Sequence, residues 1–302
     1  MIPIFLIMAL GYLARSLGAI KREDVPRLNK LAFRYFMPVM LFYSIYKSDL
    51  ETAVQPRVLL FAAGCVLLEY LIALGYVLLT EKDNSKRGVM IQGLYRSNFV
   101  IIGIPLAEAL AEGADISPVV VMIAIVVPMF NVLAVVTLES FNGNKPKIGK
   151  LLLDIATNPL ILGAIAGILA LLVKLRLPSA LESAVEQIYS ATNPLMLFLL
   201  GAFFKFDGVK KYAKELVTVC IGRLIVFPGI FLTIAMLVGI NGAPFAGLIA
   251  VFGSAAAIAS FVMAEQMGGD AELAGDIVVL TSAFCAFTMF LWALLFKNLG
   301  VF

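Results

Sequence analysis

Arg96, Ser97 and Asn98 stand side by side in the apolar stretch between Val89 and Glu108, and Gly103-Ile104-Pro105 follows shortly after. A guanidinium, a hydroxyl and an amide offer an anion three kinds of hydrogen-bond donor. In hydrocarbon a bare charge and a broken backbone both lack water, so such groups face a protein-lined cavity. Pro105 cannot donate its amide and frees carbonyls near Ile101 and Ile102, and Gly103 lets the chain leave helical geometry cheaply. A half-helix restarting near Pro105 would turn its positive dipole end into the protein. The bland alternative is a kinked helix whose polar groups satisfy one another, with Arg96 paired to a carboxylate.

Further polar groups lie inside apolar segments. Glu69 is flanked by Leu67-Leu68 and Tyr70-Leu71, where a lone carboxylate costs on the order of 3 kcal/mol, so it needs a partner, a proton or a cavity. Arg223 and Arg96 are its candidate partners. A structural ion pair is favoured over a proton-coupling role. Asn131 follows Pro128 by three residues and shares nearly one helix face with it; Asn193-Pro194 and Asn158-Pro159 set further amides beside freed carbonyls. Asn158 reads as a helix cap at a membrane boundary, and Asn193, which is deeper, as a site residue. Gly253 to Ser260 is a run of small residues, with Ser254 a candidate ligand and Gly253 and Ala256 candidate backbone of a second break. Glu265 and Gln266 read as interfacial.

These groups need membrane-spanning elements to hold them. The chain has 302 residues, 62% hydrophobic and 14% charged, with a mean hydropathy of +1.00. A soluble domain carries about 25% charged residues, so this is an integral membrane protein. Ten apolar segments follow, at roughly 1–18, 29–46, 58–79, 88–111, 117–138, 151–173, 187–205, 213–238, 244–266 and 273–296. Met1 to Leu17 lacks a basic region and a cleavage site and reads as a first span. Leu177 to Glu186 reads as a short interfacial helix. With no histidine in the chain, His catalysis, His-ligated metals and a His proton switch are excluded. Cys65, Cys220 and Cys285 give neither a disulfide framework nor a metal spacing. No cofactor is expected, and the net charge of +3 suits topology better than nucleic-acid binding.

Placing the N-terminus outside puts fourteen lysines and arginines in inward loops against five in outward loops and at the C-terminus. That is the positive-inside bias, and both termini then lie on the extracytoplasmic side of a cell membrane. The seam falls at 142–150, between a first five-helix half (1–141) and a second (151–302). Five spans is an odd number, so the second half enters the membrane from the opposite side. If the halves share a fold they are inverted repeats. Pro38 and Pro194 correspond in that scheme, as do the interruptions of the fourth and ninth spans.

The strongest of these motifs, Arg96-Ser97-Asn98-Phe99 with Gly103-Ile104-Pro105-Leu106, resembles the auxin efflux carrier family. Gly11-Tyr12-Leu13, Leu41-Phe42, Asn158-Pro159-Leu160-Ile161-Leu162-Gly163, Ala264-Glu265-Gln266 and Asp270-Ala271-Glu272-Leu273-Ala274 extend the likeness along most of the chain. The resemblance implies an all-α membrane carrier related to bile-acid symporters and sodium–proton antiporters. The fourth and ninth spans would be broken helices that cross, in a core domain that moves against a scaffold, each built from both repeats. Asn98 matches the asparagine beside the family's crossover, Pro105 its proline, and Asn193 a polar position near the substrate. Many members carry a proline in the ninth span, and Phe252 to Ala259 has none. The expected function is secondary transport of a small organic anion, a carboxylate by family inference, with a proton or sodium as candidate coupling ion and a homodimer as candidate assembly. A cation–proton antiporter is disfavoured because the crossing offers amides, hydroxyls and an arginine instead of carboxylates. A non-transporting sensor lacks a soluble domain to read out a signal. An enzyme lacks a nucleophile or a carboxylate cluster.

Overall fold

Lipid leaves no backbone group for water to satisfy, and helices meet that demand within each segment. The computed structural model describes residues 2–47, 55–99, 117–142, 153, 156–204 and 208–301, and every regular element among them is helical. In the first half α1 (Ile2–Ser16) leads through the turn Arg22–Asp24 to α2 (Val25–Leu31), and a π-turn (Ala32–Phe36) joins α2 to α3 (Met37–Tyr46). Then come α4 (Pro56–Thr80), α5 (Asn84–Tyr95) and α6 (Ser117–Phe141). The second half holds α7 (Pro159–Leu172), α8 (Ser179–Phe203), α9 (Ala213–Ile221), α10 (Phe227–Leu237), α11 (Ala243–Gly253), α12 (Ala259–Gln266) and α13 (Ala271–Asn298). A second π-turn, Gly222–Val226, joins α9 to α10. Pro56–Thr80, Ala213–Leu237 and Ala271–Asn298 are each long and apolar enough to cross a membrane unaided.

Local chemistry sets where these helices begin. Asp83 accepts from the Ser85 amide at 2.9 Å, Asn158 from the Leu160 amide at 2.9 Å and Asp270 from the Leu273 amide at 3.0 Å. Each carboxylate or amide satisfies a donor that the first helical turn leaves orphaned. Asn158 is thus a cap, as its Asn-Pro context predicts. Both π-turns come just before a proline, Pro38 or Pro228. Pro228 offers no amide to the Leu224 carbonyl, which accepts the Trp292 indole N–H at 3.0 Å instead.

Glycines decide how closely the helices approach. A Cβ on Gly11 would come within 1.9 Å of the Phe198 carbonyl oxygen, and one on Gly201 within 1.9 Å of the Met8 carbonyl oxygen. α1 and α8 therefore touch backbone to backbone through a reciprocal glycine pair. Gly163 and Gly167 do the same for α7 against Pro38 and Phe42 of α3.

Two sequence expectations change here, and the expected interruption of the ninth segment is found without its proline. Leu177 to Glu186 does not form its own interfacial helix: Ser179–Phe203 is one continuous helix of 25 residues. The fourth segment leaves helical geometry at Arg96, well before the expected restart at Pro105. Gly103, Pro105 and nearly all of the linker 142–150 lie outside the described residues. The ninth segment's interruption falls between Gly253 and Ala259.

Candidate functional site

The two interruptions meet. Arg96 is extended at φ −89°, ψ 112° and Ser254 at φ −75°, ψ 159°. Ser97 and Ala256 then form an isolated antiparallel bridge. The Asn98 amide donates to the Ala255 carbonyl at 2.8 Å, and the Ala257 amide to the Arg96 carbonyl at 3.1 Å. The Ala256 amide turns to the Thr281 hydroxyl on α13 at 3.1 Å. Each broken segment thereby satisfies backbone groups that the other frees, which is what an irregular segment away from water requires. Serine and alanine side chains at 254–257 keep the two extended strands within hydrogen-bond reach. Helix resumes at Phe99 on one segment and at Ala259 on the other.

On the side where helix resumes lies a cavity of about 70 Å³. Arg96, Ser97 and Asn98 line it from the crossing, Asn131 from α6, Tyr189 and Asn193 from α8, and Met40 and Ser44 from α3. Arg96 is 3% exposed. Its guanidinium donates to Asn131 Oδ1 at 2.7 Å, to Gln92 Oε1 at 3.0 Å and to the Met263 sulfur at 2.8 Å. Asn131 is itself anchored by its Nδ2, which donates to the Val127 carbonyl at 2.8 Å. Among the described residues no carboxylate pairs with Arg96, and none lines the cavity. Ser97 Oγ and Asn98 Nδ2 are buried there without a hydrogen-bond partner among the described residues.

On the side where helix ends sits the other arginine. Arg223 and Glu69, both 0% exposed, form an ion pair at 3.0 Å. Of the two arginines considered for Glu69, Arg223 is the partner and Arg96 is not. The same guanidinium donates to the carbonyls of Leu94 (3.2 Å) and Tyr95 (3.0 Å) at the end of α5, and of Val251 (2.7 Å) and Ser254 (2.9 Å) at the end of α11.

The crossing thus assembles five of the six side chains expected to bind ligand. The sixth, Ser254, turns its hydroxyl back to the Ala250 carbonyl and does not line the cavity. Gly253 is the last residue of α11, and Ala256 lies at the bridge. Sequence reasoning missed Asp276, which is 2% exposed on α13 with Oδ2 unpartnered among the described residues. Its signal was available: a carboxylate between Gly275 and Ile277 in an apolar run. Tyr189, Ser44 and Thr281 carried no such signal, because aromatics and hydroxyls are ordinary in helices.

At the opposite end of the crossing Glu265 accepts from the Asn29 amide, and Gln266 donates to the Pro26 carbonyl at 3.3 Å. These contacts bind the end of α12 to α2. Cys65 and Cys285 are buried and Cys220 half-buried, all three as free thiols.

Residues 1–293 match the family model described as "Membrane transport protein". The chain is also similar to an uncharacterized transporter, MJ1031, of Methanocaldococcus jannaschii. The two are 24% identical over 307 residues, covering 98% of this chain and 97% of that one.

Proposed function

We propose, from the premise that this chain belongs to the auxin efflux carrier-type membrane transport protein family, that it is a secondary carrier of a small organic anion, a carboxylate in the first instance. The observation that carries this reading is Arg96, a buried cation held by neutral oxygens beside the donors of Ser97 and Asn98, which have no partner among the described residues. A carboxylate has two oxygens to accept from those groups, and its charge answers the guanidinium in a medium where charge is costly to leave alone. The half-helix restarting at Ala259 adds its positive dipole end to the same side. At about 70 Å³ the cavity has room for roughly five water-sized groups, which favours a ligand of few heavy atoms.

Ten spans in two inverted repeats (1–141 and 151–302) remain the architecture we favour. Support comes from exchange of partners between the halves: α1 lies on α8 and α7 on α3, the relation expected when each half's first span packs on the other half's second. In this reading α1–α3, α7 and α8 form the scaffold, and the remaining helices form a core that rocks or slides against it. The positive-inside bias supports both termini outside a cell membrane, with the end of the cavity lined by Ser44 of α3 and Tyr189 of α8 on that same side.

Uptake of a panel of mono- and dicarboxylates into proteoliposomes tests the assignment. Saturable uptake of at least one is expected, and Asn98→Ala should abolish it. Unchanged uptake by a folded Asn98→Ala protein would overturn the site.

A further inference from the structure

We propose that Glu69 and the carbonyls of Leu94, Tyr95, Val251 and Ser254 form a latent site for a small monovalent cation, and that the Arg223 guanidinium fills it as a resident cation. α5 ends at Tyr95 and α11 at Gly253, so two helix C-termini bring their negative dipole ends and unpaired carbonyls to one point. Glu69 adds a full negative charge to the same point. One carboxylate oxygen and four backbone carbonyls are a hard-oxygen donor set, the kind that unwound helices present to sodium in secondary transporters. Here every one of them is taken by Arg223: Nε to Ser254, Nη1 to Glu69, Leu94 and Tyr95, and Nη2 to Val251.

The surrounding sequence fits a placed cation better than an incidental ion pair. A pair with Glu69 alone would need none of the four carbonyls, which come from two separate segments of the crossing. Arg223 lies in the π-turn Gly222–Val226, and such single-turn bulges within helices are frequent at functional sites. Gly222 brings that turn against α5, since a Cβ there would come within 2.5 Å of the Leu94 side chain. The crossing is therefore neutralised by a covalently fixed charge, and no dissociable cation is required to hold it.

Thermal unfolding of the purified protein in sodium, potassium or choline chloride at equal ionic strength tests this, and it needs no transported anion, so it stands or falls apart from the carboxylate assignment. The wild type should melt at the same temperature in all three salts. Arg223→Ala should melt lower in choline and recover with sodium in a saturable, dose-dependent way, because a cation bound only to the folded state stabilises it by mass action. Choline is too large for the cage. Adding Glu69→Ala to that variant should remove the sodium response, and Arg223→Lys should fold without one. A sodium-specific shift in the wild type would overturn the proposal. So would an Arg223→Ala protein that gains nothing from sodium, or that accumulates in no salt while Arg223→Lys accumulates normally.

Discussion

A guanidinium in an apolar interior persists only where something answers its charge, and this chain answers its two central arginines differently. Arg223 has a carboxylate and four carbonyls; Arg96 has two amide oxygens and a sulfur, all neutral. Breaking the first arrangement should therefore cost stability. Glu69→Leu leaves Arg223 buried without a counter-charge and is expected to cost about 3–5 kcal/mol, read as a lowered unfolding midpoint. Breaking the second should cost recognition instead. Asn131→Ala removes a charge-assisted bond worth about 1.5–3 kcal/mol, so the KM for carboxylate uptake should rise by roughly tenfold or more while folding is retained. An unchanged KM would mean that Arg96 keeps its aim without Asn131. These residue types were legible before any coordinates, since a charge or an amide stands out in an apolar run. Which arginine Glu69 takes was not legible. That choice depends on a π-turn in a distant helix, and no local pattern encodes it.

The same limit governs whole elements. The sequence marks the fourth segment's interruption by Gly103 and Pro105, yet the chain leaves the helix at Arg96, and the ninth segment breaks with no proline at all. Both breaks are set by tertiary partners: extended residues at 96–98 and 254–257 hydrogen-bond each other, and Thr281 takes the amide left over. Helix propensity cannot report such an exchange. Thr281→Val keeps the shape of the side chain and leaves the Ala256 amide unpaired, so it should destabilise by about 1–3 kcal/mol and slow uptake. Were Thr281→Val to melt like the wild type, the amide would have found another acceptor. Helix contacts far from the crossing are just as strict. Gly201→Ala drives a methyl into the Met8 carbonyl and should cost about 1–3 kcal/mol by forcing α1 and α8 apart. Composition announced the helices and Asn158 announced the start of α7, but neither announced this contact.

At the scale of the molecule, the crossing separates two ends that differ in their contacts. On one, Ser44 and Tyr189 line the cavity; on the other, α12 is bound to α2 through Asn29, Pro26, Glu265 and Gln266. The proposed carrier alternates which end is open, so contacts that tie core to scaffold at one end set the balance between its states. α2 belongs to the proposed scaffold and α12 to the proposed core, which makes Glu265 a lever on that balance. Glu265→Ala removes the acceptor for Asn29 and should shift the population toward the state in which the cavity end is closed. The measure is the rate at which a membrane-impermeant maleimide labels Ser44→Cys in a background lacking Cys65, Cys220 and Cys285. Labelling should slow in Glu265→Ala, and a saturating carboxylate substrate should slow it in the parent as well. Equal labelling rates in Glu265→Ala and its parent would show that the α2–α12 contacts do not hold the balance, and would move the search for the closing element to the contact between α3 and α6.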